Sequence, residues 1–118
     1  MDQDYKFYII ESKPEVAVIK MRSQALGGND ALDFTSKIQT LSTMPIKAVV
    51  ADLSELGVIN SSGLGMLVAG LSTLRKFKIS FILAHVPEKV DSLLQVTHLN
   101  KVFSICPTID AAVESLNK

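Results

Sequence analysis

Residues 58–67 read VINSSGLGML, from Val58 to Leu67. A polar triplet, Asn60-Ser61-Ser62, and two glycines, Gly63 and Gly65, stand between an apolar run and residues with helical spacing. Three uses compete for the two adjacent hydroxyls: a helix cap, a catalytic nucleophile, or an acceptor for a phosphate that is added and removed. Asn60, Ser61 and Ser62 are all good N-cap types, yet one cap needs only one of them. Gly63 and Gly65 each lower helix propensity by about 1 kcal/mol relative to Ala, and what glycine offers in return is close approach by another backbone.

Outward from this stretch, the chain alternates strands and helices. SSGLGMLVAGLSTLRKF places Leu64, Leu67, Val68, Leu71 and Leu74 at helical spacing, with Arg75, Lys76 and Lys78 at the end where cations suit the helix dipole. Before it, IKAVVADLS is short and rich in β-branched residues, which predicts a strand buried on both faces and ending near Asp52, followed by ELGVI as a loop with a short extended piece. KFYIIES and EVAVIKM alternate around Lys13 and Pro14 and predict an opening β-hairpin. Gly27, Gly28 and Asn29 are loop or cap signals ahead of a helix carrying Leu32, Ile38 and Leu41. ISFILAH predicts a second buried strand. Pro87 then opens a helix with Val90, Leu93, Leu94 and Val96 on one face, KVFSI a short strand, and Thr108 caps a closing helix.

The expected order is therefore β-β-α-β-α-β-α-β-α. This is one α/β domain over residues 1–118, with a mixed, mainly parallel β-sheet, an N-terminal hairpin and about four α-helices. In such sheets, sites gather where strands end and helices begin, which is where Ser61 lies.

Composition narrows the function. The 118 residues carry 47% apolar residues, enough for one hydrophobic core, and twelve basic residues cancel twelve acidic ones. No broad field attracts nucleic acid or an anionic membrane, so direct nucleic-acid binding is not expected. The longest mostly apolar stretch, GLGMLVAGLSTL, is too short and too interrupted to span a bilayer, so membrane insertion is not expected either. The single cysteine, Cys106, forms no internal disulfide, no Cys and His spacing suggests a metal, and the acidic N-terminus lacks the pattern of a secretory signal; a cytoplasmic location is expected.

Enzymatic chemistry finds little support. A serine hydrolase needs a base, but His85 and His98 are the only histidines, both expected in loops, and no G-x-S-x-G elbow is present. GLGMLVAGLS has no Lys after its last Gly, so it is not a P-loop. A phosphate-switched receiver domain would use Asp52 at its strand end, but the paired magnesium-binding acids are missing; Asp52 is expected to cap the loop leading to Ser61. Met21, Met44 and Met66 suit core filling, although Met66, with Leu64, is also a candidate apolar contact beside Ser61. Read from the residues alone, a plain cap and a functional hydroxyl are equally good accounts of Ser61.

The segment VVADLSELGVINSSGLGMLVAGLSTLRK, residues 49–76, resembles the signature of STAS domains, especially the bacterial anti-sigma factor antagonists: an apolar strand, D-L-S, a short apolar loop, then D-S-S/T-G-L-G and a helix. Element order and length extend the likeness over the whole chain. The resemblance implies a binding module and not an enzyme, without cofactor, metal or catalytic residues. Its unphosphorylated form would bind a serine-kinase anti-sigma factor and release a sigma factor. The kinase would phosphorylate Ser61, next to Ser62, and a PP2C-type phosphatase would reverse this.

The resemblance also places a partner face at Gly28, Asn29 and Asp30 together with Asn60, Ser61, Ser62, Gly63 and Leu64, in a monomer or weak dimer. The family's usual Asp before the serines is Asn60 here, which still caps a helix but brings no carboxylate. The alternative is a STAS scaffold without phosphorylation, serving as docking subunit of a sensing or lipid-transport assembly.

Overall fold

The alternating and β-branched runs assemble into a single five-stranded sheet of order β1-β2-β3-β4-β5 in the computed structural model, which describes residues 5–10 and 13–116. The elements are β1 (Tyr5–Ile10), β2 (Lys13–Ala25), α1 (Asn29–Ser42), β3 (Ala48–Ile59), α2 (Ser61–Lys76), β4 (Ser80–Ala84), α3 (Glu88–Val96), a 3-10 turn (Leu99–Lys101), β5 (Ser104–Cys106) and α4 (Ile109–Ser115). β1 is antiparallel to β2, and every later neighbour is parallel. Pro14, expected between the first two strands, lies within β2; parallel pairing begins only at Val16, so the missing N–H of Pro14 costs no ladder bond to β3.

Because strand order follows chain order, every crossover advances in the same direction, and a common hand puts α1, α2 and α3 on one face of the sheet. The main core lies there: Ile19, Met21, Val49, Leu53 and Leu83 of the strands meet Phe34, Ile38, Leu67, Leu74, Val90 and Leu94 of the three helices. Alternate strand residues, Val16, Val18, Val50 and Ile82, point to the opposite face, where α4 closes a smaller core through Ala112. Burial on both faces explains the near-continuous apolar runs of β3 and β4. The rings of Phe34, Phe81 and Phe103 form a chain with centroids 6.4 and 6.3 Å apart. Gly70 makes room for it, since a β-carbon there would stand 2.7 Å from the Phe34 ring.

Three further expectations are corrected. ELGVI is strand: β3 continues to Ile59 because β2, 13 residues long against 12 for β3, keeps pairing with it, through Gln24↔Val58 and Ala25↔Ile59, after β4 has stopped at Asp52↔Ala84. Leu32 is 71% exposed, since α1 packs through Phe34, Ile38 and Leu41, and Leu32 stands two residues, roughly 200°, from Phe34. Val96 is exposed for the same reason, two residues beyond the buried Leu94. No helix among the described residues is long and apolar enough to cross a membrane.

Candidate functional site

β2 and β3 run past the rest of the sheet as a pair, and their ends deliver the starts of α1 and α2 side by side. Asn60 is the hinge between β3 and α2. Its extended backbone (φ −128°, ψ −174°) lets Oδ1 accept the Gly63 amide at 2.8 Å, while its carbonyl accepts the Leu64 amide at 2.9 Å. Its own amide donates to the carbonyl of Ala25 at 3.4 Å, tying the cap to the end of β2.

The same Ala25 carbonyl explains Gly63, because a β-carbon at that position would lie 1.7 Å from this oxygen. The close approach signalled by glycine in the first turn is thus made from within the chain. Gly65 differs: it is exposed, and a β-carbon there would meet nothing within 4 Å.

With Asn60 serving as cap, both serines keep their hydroxyls. Ser61 and Ser62 are exposed, and neither hydroxyl has a hydrogen-bond partner among the described residues. Ser62 leans on Gly27, whose φ of +87° and missing side chain admit it; a β-carbon on Gly27 would come within 2.9 Å of that of Ser62. The loop Gly28 to Asp30 therefore lies beside the Asn60 to Ser62 turn, and the fold brings together the two segments expected to form one face.

Within that face the residues have different duties. Gly28 (φ +55°) and Asn29 are exposed at the start of α1. Asp30 is occupied structurally: its Oδ2 accepts from the Leu26 amide at 3.0 Å and from Gln24 Nε2 at 3.2 Å. Leu64 and Met66 are only 2% and 5% exposed, so their side chains belong to the core and are not apolar contacts for a partner. Gly63 is buried as well, which leaves Asn60, Ser61, Ser62 and the bare backbone of Gly65 as the exposed first turns of α2.

Electrostatically, this turn is open to an anion. No acidic residue lies in the first turn of α2, and the amides of Ser61 and Ser62, the first two helical residues, have no acceptor within the helix. Further back along the β2-β3 pair, Glu55 sits between Lys20 and Arg22. The hydrogen bond from Lys20 holds the Glu55 carboxyl below its ordinary pKa and, reciprocally, pushes the Lys20 ammonium up.

Asp52 does not cap a loop before Ser61. Buried in mid-strand, it accepts the Ser54 amide at 3.0 Å beside the irregular register between Lys20 and Arg22. His85 and His98 both occupy left-handed turn positions (φ 52° and 63°), and neither bonds to Ser61 or Ser62. Sequence reasoning missed the Ala25 carbonyl, although the two glycines of the first turn signalled that some backbone comes close.

The STAS domain family pattern matches residues 6–112. An anti-sigma factor antagonist from Mycobacterium paratuberculosis is similar over 97% of this chain and 93% of its own, at 22% identity and a TM-score of 0.80. The Bacillus cell fate determinant SpoIIAA in its phosphorylated form aligns over 95% of this chain and 98% of its own, at 16% identity and a TM-score of 0.71. A sulfate transporter family protein from Wolinella succinogenes covers 92% of this chain and 89% of its own, with 14% identity and a TM-score of 0.75. At these identities the structures establish a common fold, and the pattern match over nearly all of the described residues establishes descent: the chain belongs to the STAS domain family.

Proposed function

We propose that this protein is an anti-sigma factor antagonist, a docking module switched by phosphate on Ser61. The observation that carries the reading is the uncommitted, exposed Ser61 hydroxyl on the first residue of α2, left free because Asn60 Oδ1 already caps the helix. Unphosphorylated, the face formed by the Gly28 to Asp30 loop and the Asn60 to Ser62 turn binds a serine-kinase anti-sigma factor, which releases its sigma factor. The kinase transfers the γ-phosphoryl group of ATP to Ser61 Oγ, with loss of the hydroxyl proton and departure of ADP; a PP2C-type phosphatase hydrolyses the ester.

The switch is electrostatic. A phosphate at the start of α2 gains the helix dipole and the unpaired amides of Ser61 and Ser62, so it leaves the helix intact. Burying that dianion under a docked partner costs several kcal/mol, and each 1.4 kcal/mol is tenfold in affinity. The existence of SpoIIAA in phosphorylated and unphosphorylated forms supports a fold that accepts phosphate. Incubation with ATP and candidate serine kinases of the same genome, followed by mass spectrometry, tests the reading: one phosphate on Ser61 is expected, and phosphate on another residue, or on none, refutes it.

A second reading keeps the face and drops the modification. Asn60 brings no carboxylate to help a kinase dock, and the fold also occurs in a sulfate transporter family protein. The chain would then be a docking subunit of a sensing or lipid-transport assembly, and Ser61→Asp would leave partner binding unchanged.

A further inference from the structure

A second polar feature lies at the far end of α2. The edge strand β5 starts at Ser104, which pairs with Ile82, so the first residues of β4, Ser80 and Phe81, have no strand beside them on that side. The notch is a cavity of about 290 Å³, walled by Ser80, Phe81, Val102 and Ser104 and flanked by Arg75 and Lys78. No acidic residue lines it.

Elsewhere in the described chain, Lys20, Arg22, Lys37 and Lys47 are ion-paired. Arg75, Lys76, Lys78 and Lys101 have no acidic partner among the described residues, and neither do Lys6 and Lys89; what sets Arg75 and Lys78 apart is that they flank one cavity. The dipole of α2 accounts for Arg75 and Lys76 in its last turn. It does not account for Lys78, which lies past the helix end in a left-handed conformation (φ 60°). At this helix end the carbonyls of Leu74 and Arg75 already accept the amides of Phe77, Lys78 and Ile79. Two uncompensated cations, two serines and an apolar floor at Phe81 make a small pocket in which an anion is attracted and partly shielded from water.

We propose that this notch between the end of α2 and the starts of β4 and β5 binds a phosphoryl group, carried by a small soluble compound or a lipid headgroup. Its volume is several times that of a phosphoryl group, so the cavity also has room for part of the moiety that carries it. The proposal is independent of the role of Ser61, which lies at the opposite end of the helix.

The test uses the full chain with inorganic phosphate as probe, followed by amide NMR against chloride at equal ionic strength. Saturable shifts at Lys78–Phe81 and Val102–Ser104 are expected, separate from any at the start of α2, together with binding at the notch about tenfold weaker in the double variant Arg75→Gln, Lys78→Gly. Glycine suits the left-handed position, so that variant should fold. Lys76→Gln, outside the cavity wall, should bind as the parent does. Co-sedimentation with phosphatidic acid vesicles, against phosphatidylcholine vesicles, separates the sources. Variant-sensitive vesicle binding assigns a lipid headgroup, and phosphate shifts without vesicle binding assign a soluble compound. Shifts spread evenly over all lysines, phosphate binding untouched by the double variant, or neither phosphate nor variant-sensitive vesicle binding would overturn the proposal.

Discussion

The carbonyl oxygen of Ala25 stands 1.7 Å from the place a β-carbon on Gly63 would occupy, and the same oxygen accepts the amide of Asn60. One backbone atom at the end of β2 therefore sets the position of the first turn of α2. Gly63→Ala must push the helix away from the strand, and a loss of about 3 kcal/mol is expected by urea unfolding. Gly65→Ala meets open space and should gain up to about 1 kcal/mol from helix propensity. Equal effects of the two substitutions would contradict the packing described.

Capping by Asn60 has its own signature. Asn60→Ala should cost about 1 kcal/mol of stability, whereas Asn60→Asp should hold or raise it by a few tenths near neutral pH, where a carboxylate favours the helix N-terminus. The gain should vanish once acid protonates the new side chain. A neutral Asn60→Ala variant would mean that one of the serines caps instead.

Substitution at Ser61 separates folding from docking. Both Ser61→Ala and Ser61→Asp should leave the unfolding midpoint close to that of the parent, because the side chain is exposed and makes no hydrogen bond to the described residues. Ser61→Ala should bind the anti-sigma partner constitutively, and Ser61→Asp should weaken binding at least about tenfold in titration calorimetry. Indistinguishable affinities would remove the switch.

The Lys20 and Glu55 pair gives stability a pH window. The carboxyl of Glu55 is depressed, so its contribution is present above the ordinary glutamate range and is lost as pH falls through the lowered value. Lys20 is raised, so its contribution is complete below the ordinary lysine range and is lost as pH climbs through the higher value. Both groups are exposed, and the effect should be small and fade with added salt. Glu55→Gln should flatten the acid limb of the stability curve; an unchanged limb would show the pair to be inert.

Two neighbours on α1 test which face packs. Phe34→Ala should cost about 3–5 kcal/mol, as it empties the ring contacts with Phe81 and Gly70, while Leu32→Ser should stay within about 0.5 kcal/mol. The reverse order would invalidate the helix orientation.

Much of this architecture was legible in local pattern, because a period of two or 3.6 in apolar residues reports directly which face of an element is buried. Leu64, Leu67, Leu71 and Leu74 announced α2, and Thr108 announced α4 by its cap, with Oγ1 accepting the Ala111 amide at 3.0 Å. Leu32 shows the limit of such reading, since apolar residues two apart on a helix cannot both face the core, and only packing against Phe81 and Gly70 selects Phe34.

By itself, then, the order of residues determined the element types, their succession and the motif around Ser61, all of which depend on near neighbours in the chain. Tertiary structure alone decided that β3 runs on to Ile59, that Met66 turns inward, and that Gly63 exists for Ala25. Each of those outcomes depends on a partner distant in sequence, and the contact that creates it, whether a strand pairing or a carbonyl pressed against a helix, exists only once the chain has closed on itself.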